Sequence, residues 1–308
     1  MLVTLLRAAG FESYPAMTMA GSRIDPIPAD QFNHSVAVVK RGNGHWMLLD
    51  PTWIPGVREM WSSAEQQQEF LMGIPGGADI MTTPVSPAEN HYWKLDGTST
   101  LKEDGSLEGE LTLTAEGQSD ANIRRAFVRS YTSGWKEYLP NVMRAVAPAA
   151  EIIEQHIPDP LDLKEPMTIS LKYSIPHYAV VTGGRVVFLP LLARNPFTDG
   201  AMSSELQIDT SLLARQYGFR TRCSKLVEVH EKISLPANLK PVVIPIFRDV
   251  NGKSATFAAT YEMKGHTLKF QCVHRMEKRL YDAGDWPEFR EALIQRLHCM
   301  NTPVIFSK

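Results

Sequence analysis

Two side chains with catalytic potential, His34 and Asp50, lie in the segment FNHSVAVVKRGNGHWMLLDPTW, residues 32–53. A histidine and an aspartate support nucleophilic catalysis when the carboxylate holds one imidazole nitrogen and the other nitrogen accepts a proton. Such a pair usually serves a nucleophile, so a catalytic function also requires a thiol or a hydroxyl. The alternative is that both are ordinary polar residues of a hairpin.

The pattern around the two residues predicts an antiparallel hairpin. Apolar and polar residues alternate before the stretch KRGNG, and a second apolar run follows it, which is typical of two strands joined by a glycine-containing loop. With residues 41–43 as the loop, Lys40 faces Gly44 and His34 faces Asp50. Directly opposed residues on one face have Cβ atoms about 4.5–5.5 Å apart, which suits a hydrogen-bonded pair. A one-residue change of register would make the pair diagonal.

The composition is that of an ordinary globular protein. The 308 residues are 44% hydrophobic and 21% charged, with a formal net charge of −2. A nearly neutral chain has no electrostatic footprint for nucleic acid, and no apolar run reaches the roughly 20 residues that a membrane span needs. The apolar N-terminal segment lacks a preceding positive region and a small-residue cleavage site, so no signal peptide is predicted.

The cysteine pattern predicts neither a disulfide scaffold nor a metal site. Cys223, Cys272 and Cys299 form no C-x-x-C pair and have no zinc-ligand spacing, although a single disulfide stays possible. His266 and His274 lie near Cys272, but no fourth ligand accompanies them. We therefore expect no metal and no other cofactor.

Three segments are predicted along the chain, with a glycine- and proline-rich boundary at 73–90. The first, 1–90, begins with the end of an amphipathic helix that Gly10 terminates and contains a further helix within 62–71. The second, 91–222, is a β-sandwich-like domain with inserted helices. The third, 223–308, is a second β domain ending in a helix at 286–300.

The inserted helices are expected in 119–157, where the β pattern gives way to helical periodicity and Pro140 marks a boundary between helices. The basic stretch 124–129 is interpreted as a solvated helix face.

The stretches LVTLLRAAGFESYPAM, FNHSVAVV and WMLLDPTW together resemble the transglutaminase-like superfamily of papain-type folds, over roughly residues 1–55. In that family a nucleophilic cysteine opens a helix, a strand bearing histidine follows, and the next strand ends in aspartate, typically as Asp-Pro-Thr. The resemblance implies that His34 is the general base and that Asp50 orients it. It also implies an α+β fold class: a partial transglutaminase-like core followed by mostly β, sandwich-like domains of the bacterial branch.

The chain departs from this pattern at the nucleophile. The family's cysteine would lie a few residues before Met1, and none of the three cysteines is expected to replace it. The resemblance implies that the complete enzyme acts on amide or peptide bonds of a peptide or protein substrate through an acyl-thioester, with hydrolysis favoured over cross-linking. This chain alone is expected to be inactive.

The alternative is a non-catalytic binding or scaffold protein that uses its β domains. The compartment stays open, although the family's usual export suggests a periplasmic or secreted protein. The apolar face of Leu2, Leu5 and Leu6 would be left uncovered, which predicts partner binding, a homodimer through this surface, or a repacked N-terminus.

Overall fold

The computed structural model describes residues 1–20, 24, 30–53, 58–59, 63–129, 134–194, 197 and 208–308. The chain divides into two compact units, Met1–Ser86 and Pro87–Lys308. In the described residues nineteen strands and four α-helices form, so the protein is mostly β. Among these residues, none of the helices combines the length and apolar character that crossing a bilayer requires.

The predicted α+β class, with a partial transglutaminase-like core, is therefore wrong. The described part of the first unit contains a single α-helix, α1 (Leu2–Ala8), which has seven residues and buries none of them. A helix that buries no side chain cannot supply a layer of the core, so the sheet supplies it. The end of α1 is as expected, because Gly10 follows it with a φ of 86°. Leu5 is 61% exposed on α1, and a homodimer through this face stays a prediction.

The first unit is built on a five-stranded antiparallel sheet in the order β3-β2-β1-β4-β5. Its strands are β1 (Ser13–Thr18), β2 (His34–Lys40), β3 (Trp46–Leu49), β4 (Glu69–Met72) and β5 (Met81–Thr82). Short 3-10 helices span Pro51–Trp53 and Ser63–Glu65. The helix predicted within 62–71 is wrong, because its second half pairs with β1 as strand β4.

One face of this sheet carries the core of the first unit. Six buried side chains form it: Ala16, Val36, Val38, Leu48, Phe70 and Met72. They alternate along the strands with residues of the opposite face, as the pleat of a sheet requires. His34 has the same parity as Val36 and Val38, so it lies on the core face at the first position of β2.

The second unit contains an eight-stranded sheet in the order β15-β16-β17-β13-β6-β7-β9-β8, a four-stranded sheet β10-β11-β19-β14, and the pair β12-β18. Its strands are β6 (Tyr92–Leu101), β7 (Leu107–Ala115), β8 (Glu151–His156), β9 (Thr168–Ile175), β10 (Val180–Thr182), β11 (Arg185–Phe188), β12 (Phe219–Arg220), β13 (Lys225–Ser234), β14 (Lys240–Val243), β15 (Val250–Asn251), β16 (Ala255–Lys264), β17 (Thr267–Met276), β18 (Leu280–Tyr281) and β19 (Val304–Ser307). Its α-helices are α2 (Gly117–Val128), α3 (Trp135–Val146) and α4 (Trp286–Asn301). The parallel pairing of β13 with β6 joins strands from 91–222 and 223–308 in one sheet.

The predicted terminal helix is confirmed as α4, but the helices of 119–157 differ from the prediction. Pro140 lies inside α3 rather than between helices. A proline there cannot donate to the carbonyl four residues earlier. The Nε2 of Gln155 donates to that carbonyl, on Lys136, at 2.9 Å, which compensates for the missing bond.

The interpretation of 124–129 as a solvated face is wrong for its first residue, because Arg124 is 1% exposed. Its Nε donates to Asp120 Oδ2 at 2.7 Å. Its other nitrogens donate to the carbonyls of Pro160, Asp162 and Glu165, at 3.1, 2.7 and 2.6 Å. The guanidinium thus holds the connection between β8 and β9 against α2.

We expect Arg124→Met to lower the free energy of unfolding by about 3–5 kcal/mol, because it leaves a buried carboxylate and three carbonyls without their donor. Urea denaturation measures this loss. Arg144→Met, on the exposed side of α3, is the control and should change stability by less than about 0.5 kcal/mol. Equal losses in the two variants would contradict this role of Arg124.

A buried carboxylate lies in the core of the eight-stranded sheet. Glu231 on β13 accepts hydrogen bonds from Ser99 Oγ at 3.0 Å and from the Leu192 N–H at 2.9 Å. Burial raises the pKa of Glu231 to about 7, although these two hydrogen bonds lower it. The folded state therefore keeps a proton that the unfolded chain releases at lower pH.

This pKa sets the direction of a pH effect on stability. The contribution of Glu231 is fully present below the carboxyl's ordinary pKa of about 4.5 and is lost as the pH rises through about 7. Glu231→Gln should gain about 3 kcal/mol relative to the wild type between pH 4 and pH 8, as measured by urea denaturation. Glu110→Gln, at an exposed position of β7, is the control. Parallel stability curves for wild type and Glu231→Gln would refute the assignment.

Candidate active site

The hairpin forms, with a register two residues away from the expected one. Lys40 pairs with Trp46, where Gly44 was predicted. The loop closes one residue later, because the Gly44 N–H donates to the Arg41 carbonyl at 2.8 Å and Gly44 has a φ of 82°. Glycine adopts such a left-handed conformation without strain, and this loop type favours it there. An offset of two keeps the same faces together, since side chains alternate with period two.

The structure brings the two predicted site residues into contact. The Nε2 of His34, at the start of β2, lies 3.0 Å from Oδ2 of Asp50, which directly follows β3. The Asp50 side chain is fully buried, whereas that of His34 is 20% exposed. The pair is diagonal across the hairpin, and the imidazole spans the offset. The catalytic role of the two residues stays a prediction at this point.

The Asp-Pro-Thr stretch forms a turn in which Thr52 binds the carboxylate of Asp50. Oδ1 of Asp50 accepts hydrogen bonds from the Thr52 N–H at 3.0 Å and from Thr52 Oγ1 at 2.7 Å. This turn is typical of an aspartate that binds the backbone two residues on, and it begins the 3-10 helix Pro51–Trp53. Thr52 thereby fixes the carboxylate so that Oδ2 points at His34. Sequence reasoning used the motif but did not assign this positioning role to Thr52.

A second buried carboxylate lies beside the same imidazole nitrogen. Oε1 of Glu65 is 3.5 Å from His34 Nε2, and the Glu65 side chain is 3% exposed. Glu65 ends the 3-10 helix Ser63–Glu65, and its carbonyl accepts a hydrogen bond from Thr83 Oγ1. Sequence reasoning missed Glu65 because it placed this stretch in a longer helix. No motif in the sequence singles it out.

The two carboxylates determine the tautomer of His34. Oδ2 of Asp50 accepts a hydrogen bond from Nε2, and Oε1 of Glu65 lies within ion-pair distance of the same nitrogen, so Nε2 carries the proton. The other nitrogen, Nδ1, then has its lone pair free, and within the described residues nothing hydrogen-bonds to it. A neutral histidine held in this way can accept a proton at Nδ1. The site therefore has the geometry of a general base with an orienting carboxylate.

The other candidate groups lie elsewhere. Cys223, Cys272 and Cys299 belong to the second unit, where all three are buried in its core. His274 is also buried there, whereas His266 is exposed at the turn between β16 and β17. Within the part of the chain that the structure describes, these residues form no group of three metal-ligand side chains.

Trp46 and Trp93 pack within their own units. Trp93 is fully buried in the core of the second unit. Trp46 packs edge-on against Tyr14, with ring centroids 5.8 Å apart. Trp61 lies outside the described residues.

In comparisons with known proteins, a family model matches part of the second unit. A family model described as a domain of unknown function with a solved structure, DUF3858, matches residues 185–306. This match covers less than half of the chain and excludes His34 and Asp50. Among solved structures, the chain is similar to a "putative protease" from Parabacteroides distasonis ATCC 8503, with 11% identity and a TM-score of 0.49. That match covers 100% of this chain but 42% of the other protein. No curated protein matches the chain.

We expect Thr52→Val to destabilise the protein by about 1 kcal/mol, because it removes the hydroxyl donor from a buried carboxylate oxygen. Thr52→Ser keeps the hydroxyl and should lie within about 0.5 kcal/mol of the wild type. Urea denaturation followed by tryptophan fluorescence gives both values. If valine and serine behave alike, the hydroxyl of Thr52 does not hold Asp50.

Proposed function

We propose that His34 and Asp50 are the general base and the orienting carboxylate of a transglutaminase-like cysteine site that acts on amide or peptide bonds. The observation that supports this function is the 3.0 Å contact between His34 Nε2 and the buried Oδ2 of Asp50, while Nδ1 has no hydrogen-bond partner among the described residues. A pair that served only to stabilise the fold would not need a partly exposed imidazole with such a nitrogen. The resemblance of residues 1–55 to that family points to the same chemistry.

The reaction follows from the position of the free nitrogen. Nδ1 of His34 takes the proton of a cysteine thiol, and the thiolate attacks the amide carbonyl carbon. The tetrahedral intermediate collapses with cleavage of the C–N bond, and the leaving amine takes the proton from the imidazolium. Water then attacks the acyl-thioester while Nδ1 accepts its proton. The thioester breaks to release a carboxylic acid and restore the thiol.

The thiol of this site comes from outside the described core. Residues 1–86 contain no cysteine. The resemblance places the thiol on the helical turn that precedes Leu2. At a helix N-terminus, the helix dipole and a neighbouring histidine together favour the thiolate.

A non-catalytic binding function is the second candidate, and one observation favours it. The eight-stranded sheet of the second unit carries an open groove of about 430 Å³ across its polar face. Charged side chains line this groove, among them Asp96, Lys172, His230 and Lys269. Such a surface suits a polar polymer more than an apolar ligand.

We expect the DNA upstream of the Met1 codon to encode, in frame, a cysteine within the preceding helical turn. In the chain extended by these residues, iodoacetamide should alkylate this cysteine at neutral pH faster than a free thiol. His34→Ala should slow the alkylation by about tenfold, because the thiol loses its proton acceptor and less of it is present as the reactive thiolate.

His45→Ala is the matched control, since His45 is exposed at the loop of the same hairpin and should leave the rate unchanged. An upstream stop codon, or a cysteine whose alkylation does not depend on His34, would contradict the enzyme function and favour the binding function.

A further inference from the structure

Three potential metal ligands from separate segments meet at the end of the first unit's sheet. They are His34 at the start of β2, Asp50 after β3, and Glu65 in the 3-10 helix Ser63–Glu65. One ligand atom of each lies within 4.8 Å of the others. Within the described residues, this is the group of three histidine, cysteine or acidic side chains that is close enough to hold an ion.

The charge of this cluster favours a divalent cation. The side chains of Asp50 and Glu65 are 0% and 3% exposed, so two carboxylates share a nearly dry site. A cation is attracted to two carboxylates more strongly in such a site than at the surface, because little water screens the charges. With neutral His34 the three side chains carry a formal charge of −2, which a divalent ion would neutralise.

The donor spacing matches a small transition-metal ion. Ligand bonds of about 2.0–2.2 Å at a tetrahedral centre place neighbouring donor atoms about 3.3–3.6 Å apart. His34 Nε2 lies 3.0 Å from Asp50 Oδ2 and 3.5 Å from Glu65 Oε1. Side-chain shifts of a few tenths of an ångström would therefore bring both distances to those of a tetrahedral metal site. The partial exposure of His34 leaves a side on which water could be the fourth ligand.

The donor types narrow the choice of metal. Calcium and magnesium prefer sites made of oxygen ligands alone, whereas an imidazole nitrogen suits zinc and its transition-metal neighbours. Zinc is commonly held by three protein ligands and one water, with mixed histidine and carboxylate donors. We propose that His34, Asp50 and Glu65 form a binding site for a divalent transition-metal ion, of which Zn²⁺ fits best.

Such an ion would switch off the general base, a consequence that rests on the proposed function. A metal on Nε2 needs the lone pair of that nitrogen, so its proton must leave. The neutral ring then carries its proton on Nδ1, which can donate but no longer accept. Metal binding and proton transfer at His34 therefore exclude each other. The first unit's site would act either as a base or as a metal site, with Glu65 as the ligand specific to the metal.

The experiment is a titration of the full chain with Zn²⁺, followed by calorimetry and by ¹⁵N NMR of the histidine rings. We expect one equivalent of Zn²⁺ to move the His34 resonances to those of an Nε2-bound, Nδ1-protonated ring. Glu65→Gln should weaken the affinity at this site by at least about tenfold, because it removes one charged ligand. Mg²⁺ should leave the His34 resonances unchanged.

Glu12→Gln is the matched control, since Glu12 is a 48% exposed carboxylate of the same unit that pairs with Lys40. This variant should bind Zn²⁺ as the wild type does. Glu65→Asp keeps the charge on a shorter side chain and should retain part of the affinity, which provides a second test if the glutamine variant does not fold.

Unchanged His34 resonances at saturating Zn²⁺ would overturn the metal site, as would equal affinities of wild type and Glu65→Gln. The titration involves no thiol, so this failure would leave the acyl-transfer function standing. Loss of His34-dependent alkylation in the extended chain would, conversely, leave the metal site standing.

Discussion

The buried carboxylate of Asp50 is the group on which the first unit's site depends. Its Oδ1 accepts two hydrogen bonds from Thr52, and its Oδ2 contacts His34. A buried carboxylate needs hydrogen-bond donors in place of the water it has lost, so these bonds fix its position. The imidazole of His34 is held in one orientation because the Asp50 side chain has no freedom to turn away.

Glu65 adds a second carboxylate beside the same ring nitrogen, so the three side chains can hold either a proton or a metal ion. Two carboxylates beside Nε2 stabilise the tautomer that a general base requires. The same two carboxylates, together with the lone pair of Nε2, make a three-donor set for a metal. Which state prevails depends on whether a proton or a metal ion lies between the three side chains. A site with one carboxylate would not offer this choice.

The second unit handles buried polar groups in a different way. Arg124 and Glu231 are buried, and backbone groups accept three of the hydrogen bonds of Arg124 and donate one of the two to Glu231. Arg124 thereby holds the segment between β8 and β9 against α2. Glu231 holds the segment after β11 against β13. The family match over 185–306 begins at β11 and includes Glu231 but not Arg124.

The sequence by itself determined the local elements and the identity of the His–Asp pair. Period-two alternation, the glycine-containing loop and the Asp-Pro-Thr stretch are short-range signals, and they sufficed for the hairpin. The terminal helix α4 was likewise predicted from the local sequence. The short-range signals did not suffice for the strand register. Moving the loop by one residue shifts the pairing of the strands by two, and the same side chains still share a face. The predicted α+β class was wrong because the sequence correctly indicated a helix at the N-terminus but not its packing. That helix has seven residues and buries none of them, so it adds no helical layer to the first unit.

Only the tertiary structure decided the position of Glu65, the parallel pairing of β13 with β6, and the burial of Arg124. These features join residues far apart in the chain through packing and hydrogen bonds, for which no local pattern exists. Sequence periodicity reports which face of an element is buried, but not which distant side chain shares the space.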